Sequence, residues 1–573
     1  MSSRADDKGV VNQLNQTRMT TMQRLVLQAA AFGFLTAAPT ALAQYSAEPD
    51  RAALDRVFGQ WSAKDGPGCS VAASRDGRTI YEAAYGTAYL ETDTPITPTS
   101  IFHSASVSKQ FTAMAVLLLA REGKLSLDTD IRTWLPELPD YGHKITLRHL
   151  LNHTSGLRDQ WDLLALARGR FEEDRITEAD VLDIVSRQKA LNFTPGTEYL
   201  YSNTGYTLAG TIVKRVSGKS LREFADERIF QPLGMTRTHF HDDYTMLVKG
   251  RTSAYAPRAG GQWRVSIPNF DTYGATSLYT TVGDLLKWQE NFRNPVVGDT
   301  ALLRQMQTSA VLANGDSTGY GLGVGISGER GRILVGHSGA DAGYRAYTGR
   351  YPEHAFAIAV LCNAATSNPA ALADSVSKLY LKDAVREPPA AIPVGAKGRP
   401  TAAELSRLAG VYINPVTGNP NYISVRDTTL ILGRTTGPAL VPVGERRFWL
   451  AQQRTEFEFA PNGNLVARFR GRPSRQPVTF VRREVARLSP ADLARYAGTY
   501  YSDELGATYA VTATDTALTL RTRTSQPRTL SPAYGDTFTG PWLVEFTRDA
   551  GGRVTGMLLS TGRVRKVRFD RRG

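Results

Sequence analysis

Hydrophobic positions follow one pattern up to about residue 385 and another after residue 400. From Ala47 to about Leu381, helical and strand patterns alternate, separated by Gly and Asn turns. "SVAASRDGRTIYEAA" reads as strand, turn and strand, with Asp76-Gly77 as the hairpin signal. Apolar helical runs follow at Gln110–Ala120 and Ala179–Val185. Strands return near Ile333–Gly336, Tyr344–Gly349 and Phe356–Leu361, and an amphipathic helix runs from about Pro369 to Leu381. Strands at both ends with helices between predict one α+β domain whose sheet joins the two ends of residues 44–385.

"REPPAAIPVGAKGRP", residues 386–400, reads as a Pro/Gly-rich linker. Beyond it, "LSRLAGVY" (Leu405–Tyr412) recurs 88 residues later as "LARYAGTY" (Leu493–Tyr500). Each copy is followed by short alternating stretches such as "NYISVR" and "TYAVTA", about eight per copy. Two tandem all-β domains, 401–486 and 487–573, each a small barrel or sandwich, are expected.

Residues 1–43 read as an N-terminal extension and signal peptide. Met22-Gln23-Arg24 is a short basic head, Leu25–Leu35 is an apolar core, and Ala41-Leu42-Ala43 is a small-residue cleavage site. The apolar core is about 11 residues, against the roughly 20 of a membrane-spanning helix. Export with cleavage after Ala43, to the periplasm or outside the cell, is the expectation, with Met19 or Met22 as the start. No later segment is long enough to span a bilayer, so the mature protein is expected to be soluble.

The net charge of +14 is uneven, with roughly +11 falling after Pro400, almost all of it arginine. Such a surface suits anionic partners. For an exported protein that means envelope polymers rather than nucleic acid, unless the arginines are simply solvated strand faces. The two cysteines, Cys69 and Cys362, open one predicted strand and close another. Antiparallel neighbours would bring them together as a disulfide in an oxidising compartment; the alternative is two buried free thiols.

Candidate chemistry starts at Ser106-Val107-Ser108-Lys109, at the head of an apolar helix. Ser-x-x-Lys puts both side chains on one face, one turn apart. At a helix start the serine has unpaired backbone N–H groups around it, suited to an oxyanion. A lysine at the edge of a dry pocket has its amine form favoured and can take the serine's proton. "SVSK" occurs again at Ser375–Lys378, inside the last helix, where a solvated face is expected. Tyr201-Ser202-Asn203 lies in a turn before a helix, where a tyrosine hydroxyl can share a proton relay and an amide can hold a substrate carbonyl. His337-Ser338-Gly339 follows a strand; Gly339 would let a substrate approach the backbone, and the N–H of Ala340 would be a second oxyanion donor.

These three motifs, in this order, resemble those of the penicillin-recognising serine hydrolases: class C β-lactamases, DD-carboxypeptidases, D-aminopeptidases and related esterases. The resemblance covers roughly residues 50–385 and includes "ITLRHLLNHTSGL", "PLGMTRTHF" and "GATSLYTTVGDLLKW". It implies a β-lactamase/transpeptidase-like fold, an antiparallel sheet flanked by helices, and an acyl-enzyme on Ser106, with Lys109 and Tyr201 moving the proton and Asn203 orienting a small-molecule or short-peptide substrate; no cofactor or metal is expected. Many β-lactamases and carboxypeptidases carry lysine where this chain has His337, which is mostly neutral at pH 7. His-x-Gly resembles the D-aminopeptidase and esterase branches instead, and in the D-aminopeptidase two β-barrels follow the catalytic domain. Arg345 is the candidate anchor for a substrate carboxylate. A β-lactamase or DD-carboxypeptidase is the alternative, as is a non-catalytic peptidoglycan-binding protein, and the β repeats are candidates to cover the pocket.

Three further patterns lack the context their chemistry needs. Gly315-Asp316-Ser317-Thr318-Gly319 matches a nucleophile elbow but is followed by "YGLGVGISG", too glycine-rich for a helix. Gly323–Gly328 spells a dinucleotide fingerprint, yet a strand is expected where a helix should start. His239-Phe240-His241-Asp242-Asp243 holds metal-ligand residue types, which are commoner as exposed side chains after a helix end. "NHTSGL" around His153 is expected to be a structural loop bordering the pocket.

Overall fold

The computed structural model describes residues 49–170, 173–328, 333–382, 400–469, 476–522 and 526–572. The leader read over residues 1–43 and nearly all of the linker lie outside them. Asp76 and Gly77 both adopt positive φ (50° and 76°), the two-residue turn that matches the twist of a hairpin. The turn joins β1 (Cys69–Arg75) to β2 (Arg78–Tyr85). Four later strands, β3 (Gly325–Ser327), β4 (Leu334–Asp341), β5 (Tyr344–Tyr351) and β6 (Phe356–Cys362), complete an antiparallel six-stranded sheet in the order β3-β4-β5-β6-β1-β2. The first and last segments of the domain are thus central neighbours. Cys69 lies directly opposite Cys362, and a disulfide joins them.

The period-2 alternation assigns each face its neighbours. Val71 and Ala73, with Ile358 and Val360, turn toward α1 (Arg51–Val57) and α6 (Pro369–Leu381), packing with Leu54, Val376 and Tyr380. Ala72, Ala359 and Leu361 face the larger core, which includes α2 (Ser108–Arg121) and α5 (Val282–Asn291). Every residue of α2 from Ser108 to Leu119 is buried, so any polar side chain on it must find protein partners. Two more helices matter below: α3 (Gln160–Arg168), capped by the Asp159 carboxylate, and α4 (Asn203–Ser217).

After the linker come two closed eight-stranded barrels, Gly410–Arg483 and Gly498–Arg572. The repeated octapeptide builds the same latch in each. A short capped helix (Ala402–Leu408 or Pro490–Ala494) buries Leu405 or Leu493. The closing tyrosine then donates back to the carbonyl four residues before it, Tyr412 to Leu408 and Tyr500 to Tyr496, both at 2.7 Å. The barrels differ in whose core they join. The first has its own apolar cluster around Leu430, Phe448 and Leu465. The second shares one continuous core with the catalytic domain, and its Tyr509 donates to the Leu166 carbonyl at the end of α3.

A buried ion pair marks that junction. Arg158 donates to Glu504 at 2.5 Å, with the two side chains only 1% and 6% exposed. Nearby, Lys189 and Asp503 pair at 3.1 Å while more than half exposed. Removing one partner of a buried pair strands a charge at a cost of about 3–5 kcal/mol, whereas an exposed pair contributes about 0–1 kcal/mol. In denaturant titrations Glu504→Ala should therefore destabilise the protein severely and Asp503→Ala hardly at all; equal effects would show that this junction does not bear on stability.

Candidate active site

Ser106 sits in a 3-10 turn, Ala105–Val107, that runs directly into α2. Ala105 just before it adopts φ 48°, an uncommon conformation for a residue with a side chain. β4 crosses against this turn. A Cβ at Gly339 would meet the Ser104 carbonyl oxygen at 2.1 Å, so only glycine lets the strand pass. The neighbour that position 339 accommodates is therefore the nucleophile turn itself, although Gly339 also lines the cleft.

Lys109, one turn on, is fully buried. Its Nζ lies 2.9 Å from Ser106 Oγ, 2.9 Å from Asn203 Oδ1 and 2.6 Å from the Ala275 carbonyl oxygen. Burial drives its pKa down to about 7, against the opposing pull of Asp341 and Asp159. Two of the three neighbours can only accept, so a neutral amine spends its two N–H groups on Asn203 and Ala275. Its lone pair is left directed at the Ser106 hydroxyl, the geometry of a general base.

Asn203 opens α4. Its backbone N–H and its Nδ2 both donate to Asp159 Oδ2, at 2.7 and 2.9 Å. The amide oxygen is committed to Lys109, so Asn203 fixes the position of that amine while lining the cleft. The Tyr201 hydroxyl also reaches Ser106, and burial pushes its pKa far above the ordinary value. At neutral pH the Tyr201 hydroxyl therefore keeps its proton, and Lys109 is the group that titrates. His153, from the "NHTSGL" loop, braces this turn: its Nδ1 accepts the Ser202 N–H at 3.2 Å and its ring lies 4.1 Å from that of Tyr201.

His337 lines the same cleft. Its Nδ1 faces the Ser338 carbonyl at 2.6 Å, which can only accept, so Nδ1 carries the proton and Nε2 accepts from the Tyr320 hydroxyl at 2.9 Å. Burial, with the charge of Lys109 beside it, pushes its pKa down to about 3. His337 is thus neutral and offers no fixed charge. Ala340 follows on β4, lining the cleft across from Ser106.

Arg345 is a correction. Its Nη1 donates to the carbonyls of Ala342 and Tyr344 at 2.8 and 2.7 Å, and it does not line the cleft. The tight β4–β5 turn offers acceptors nearer than any substrate. Among the described residues the cation that lines the cleft is instead Arg563, on the loop before the last strand of the second barrel. The cleft measures about 580 Å³, with Trp161, Tyr199, Tyr320 and Asp341 among its other walls. Asp341 is held from behind by His103 at 2.8 Å and by Thr276. Sequence patterns did not single out Asp159, Ala275, Tyr320, Asp341 or Arg563. Asp159 alone left a trace, as an aspartate at the N-cap position of a helical run.

The remaining patterns have structural explanations. Ser317 lies just after a turn, bridged to Val311 and hydrogen-bonded to Ser309. Gly323 allows its backbone to pack on α2, since a Cβ there would meet the Lys109 carbonyl oxygen at 2.7 Å. His239 and His241 pack on Tyr279. The second "SVSK" lies on α6, where Lys378 pairs with Asp374.

A serine on a helix-start turn, a dry lysine beside it and a sheet edge across the cleft define a β-lactamase-fold serine hydrolase. A family model described as Beta-lactamase matches residues 54–381, and the chain belongs to that family. A second model, Domain of unknown function (DUF3471), matches residues 482–571, spanning the second barrel. The chain is 28% identical over 300 residues to a D-aminopeptidase of Gluconobacter oxydans (strain 621H), covering 52% of this chain and only 56% of that relative. It is 25% identical over 526 residues to a D-aminopeptidase of Brucella canis, covering 88% and 96%. Among solved structures it resembles the octameric penicillin-binding protein homologue from Pyrococcus abyssi, with a TM-score of 0.54, 25% identity and coverage of 75% of this chain and 100% of that one.

If Lys109 is the base, the rate of Ser106 modification by a fluorophosphonate should climb with pH through about 7 and level off above it, as the amine loses its proton. Lys109→Arg should abolish the climb. A rate independent of pH between 5.5 and 8.5 would exclude Lys109 from that role.

Proposed function

We propose that this chain is an exported hydrolase of small amides, short peptides or esters that works through a Ser106 acyl-enzyme. The carrying observation is the Lys109 amine, dry and aimed at Ser106 between two fixed acceptors. Lys109 takes the Ser106 proton as Oγ attacks the substrate carbonyl. The backbone N–H groups of Ser106 and Ala340 receive the oxyanion. Tyr201 gives its proton to the departing nitrogen or oxygen and is reprotonated from Lys109. A water then repeats the sequence in reverse roles and frees the acid.

Within this chemistry, the D-aminopeptidase or esterase branch is favoured over a β-lactamase. Position 337 holds a neutral histidine where a fixed charge would serve a β-lactam carboxylate, and relatives named D-aminopeptidase align with most of the chain. Export rests on the tripartite pattern ending at Ala43. The arginine excess after Pro400 would add affinity for anionic envelope polymers.

Intact mass after exposure to a fluorophosphonate, a penicillin and D-alanine p-nitroanilide, beside a Ser106→Ala control, tests the reading. Labelling that is lost in Ser106→Ala, with turnover of the anilide, is expected. A penicillin adduct without anilide turnover would move the protein to the carboxypeptidases, and no adduct in folded protein would leave a binding protein. His337→Lys should raise activity on carboxylate-bearing β-lactams, and an unchanged rate would remove charge at that position as the selector.

A further inference from the structure

Arg563 reaches the catalytic cleft from a different domain, and among the described residues its guanidinium makes no hydrogen bond. Among the described residues that line the cleft it is the one Lys or Arg. Its side chain is 42% exposed and lies over the Tyr201 ring at 5.0 Å, beside the hydroxyl that serves Ser106. The nearest carboxylate, Asp159, stands 3.9 Å away, beyond hydrogen-bond distance, and is already occupied by Asn203 and the Trp161 N–H. A fork of charge-assisted donors is therefore free at the cleft wall.

The fork is also held in place. The Arg563 N–H donates to Asp162 at 3.2 Å, and its carbonyl accepts from Asn192 at 2.9 Å. The buried Arg158 clamps the same loop through the Arg565 and Lys566 carbonyls, at 2.8 and 3.2 Å. The backbone carrying the guanidinium is thus as fixed as the catalytic domain it touches, which removes part of the ordering cost of binding an anion.

We infer that Arg563 is the specificity-determining anion anchor of this cleft, so that the preferred substrates carry a carboxylate on one side of the scissile bond. A guanidinium fork fits a carboxylate with two parallel hydrogen bonds. With His337 neutral and Arg345 turned into its own turn, no other lining side chain supplies that charge. The inference rests on the hydrolase reading for its chemistry; as a statement about binding it stands separately. Within that reading it ranks acid-bearing amides and short peptides above their neutral counterparts, which remain slower substrates.

Calorimetry with the Ser106→Ala chain measures binding without turnover. Two ligand pairs differ only in charge: D-alanyl-D-alanine against its carboxamide, for the leaving half, and N-succinyl-D-alaninamide against N-acetyl-D-alaninamide, for the acyl half. In at least one pair the acid should bind about tenfold tighter, the worth of a charge-assisted hydrogen bond. Adding Arg563→Gln should bring that ratio close to one, and Arg563→Lys should restore part of it. Equal binding of acid and amide in both pairs, no measurable binding of either acid, or a preference that survives Arg563→Gln would overturn the inference. A loss of equal size on acid and amide would mark Arg563 as a purely structural residue, and also overturn it. Matching circular dichroism spectra and thermal midpoints of the Ser106→Ala chain with and without Arg563→Gln show that the fold is retained. Failure of the parent chain to be labelled by a fluorophosphonate would sink the acyl-enzyme reading while leaving the calorimetric ratios to be read.

Discussion

A lysine side chain with no access to water is the constraint around which this molecule is arranged. An ammonium there would need three good acceptors and would still carry a desolvation cost, so the amine form gains population near neutrality. The protein supplies two acceptors from distant parts of the chain, the Asn203 amide and the Ala275 carbonyl, and leaves the third direction to Ser106. Moving either acceptor would let the amine turn away from the serine. The sheet edge that must pass within contact of Ser104, the glycine that permits it and the strained Ala105 all serve the same small volume.

Asp159 extends that dependence outward. It caps α3, accepts twice from Asn203 and donates its own N–H to the Arg563 carbonyl. A single buried carboxylate therefore connects the base, the second motif and the loop of the last barrel. Burial pushes its pKa up, while the Asn203 donors and Arg563 favour its charged form. Hydrogen bonds to a buried charge are worth more than ordinary ones, and removing any one leaves the rest exposed to the desolvation cost. In this sense the barrel is coupled to catalysis without placing a side chain on the reacting atoms.

Much of this was legible from the residues because it is local. Asp76-Gly77 needs only its two φ angles, Ser106 and Lys109 need only one helical turn, and the repeated octapeptide needs only a tyrosine four residues from its acceptor. The sheet's closure followed from strands at both ends of the domain, since antiparallel neighbours place a strand start beside a strand end. What stayed hidden was assembled across hundreds of residues. Ala275 acts through a backbone carbonyl, which any residue type provides. Tyr320 acts by fixing the tautomer of His337. Arg563 belongs to a barrel whose arginines look alike on paper, and only the packing shows which of them faces the cleft. Arg345 misled for the converse reason: a long side chain beside a turn finds carbonyl acceptors at home.

The shared core of the catalytic domain and the second barrel has a consequence for how the protein comes into being. Synthesis delivers the nucleophile early and the last barrel late, with an independently cored barrel between them. Until residues 498–572 exist, Arg158 lacks its carboxylate partner, the Leu166 carbonyl lacks its tyrosine, and an apolar face stays wet. Until then the first domain lacks part of its core, while the middle barrel carries an apolar cluster of its own. The last stretch of the chain to be made therefore completes the core in which the first-made domain is packed.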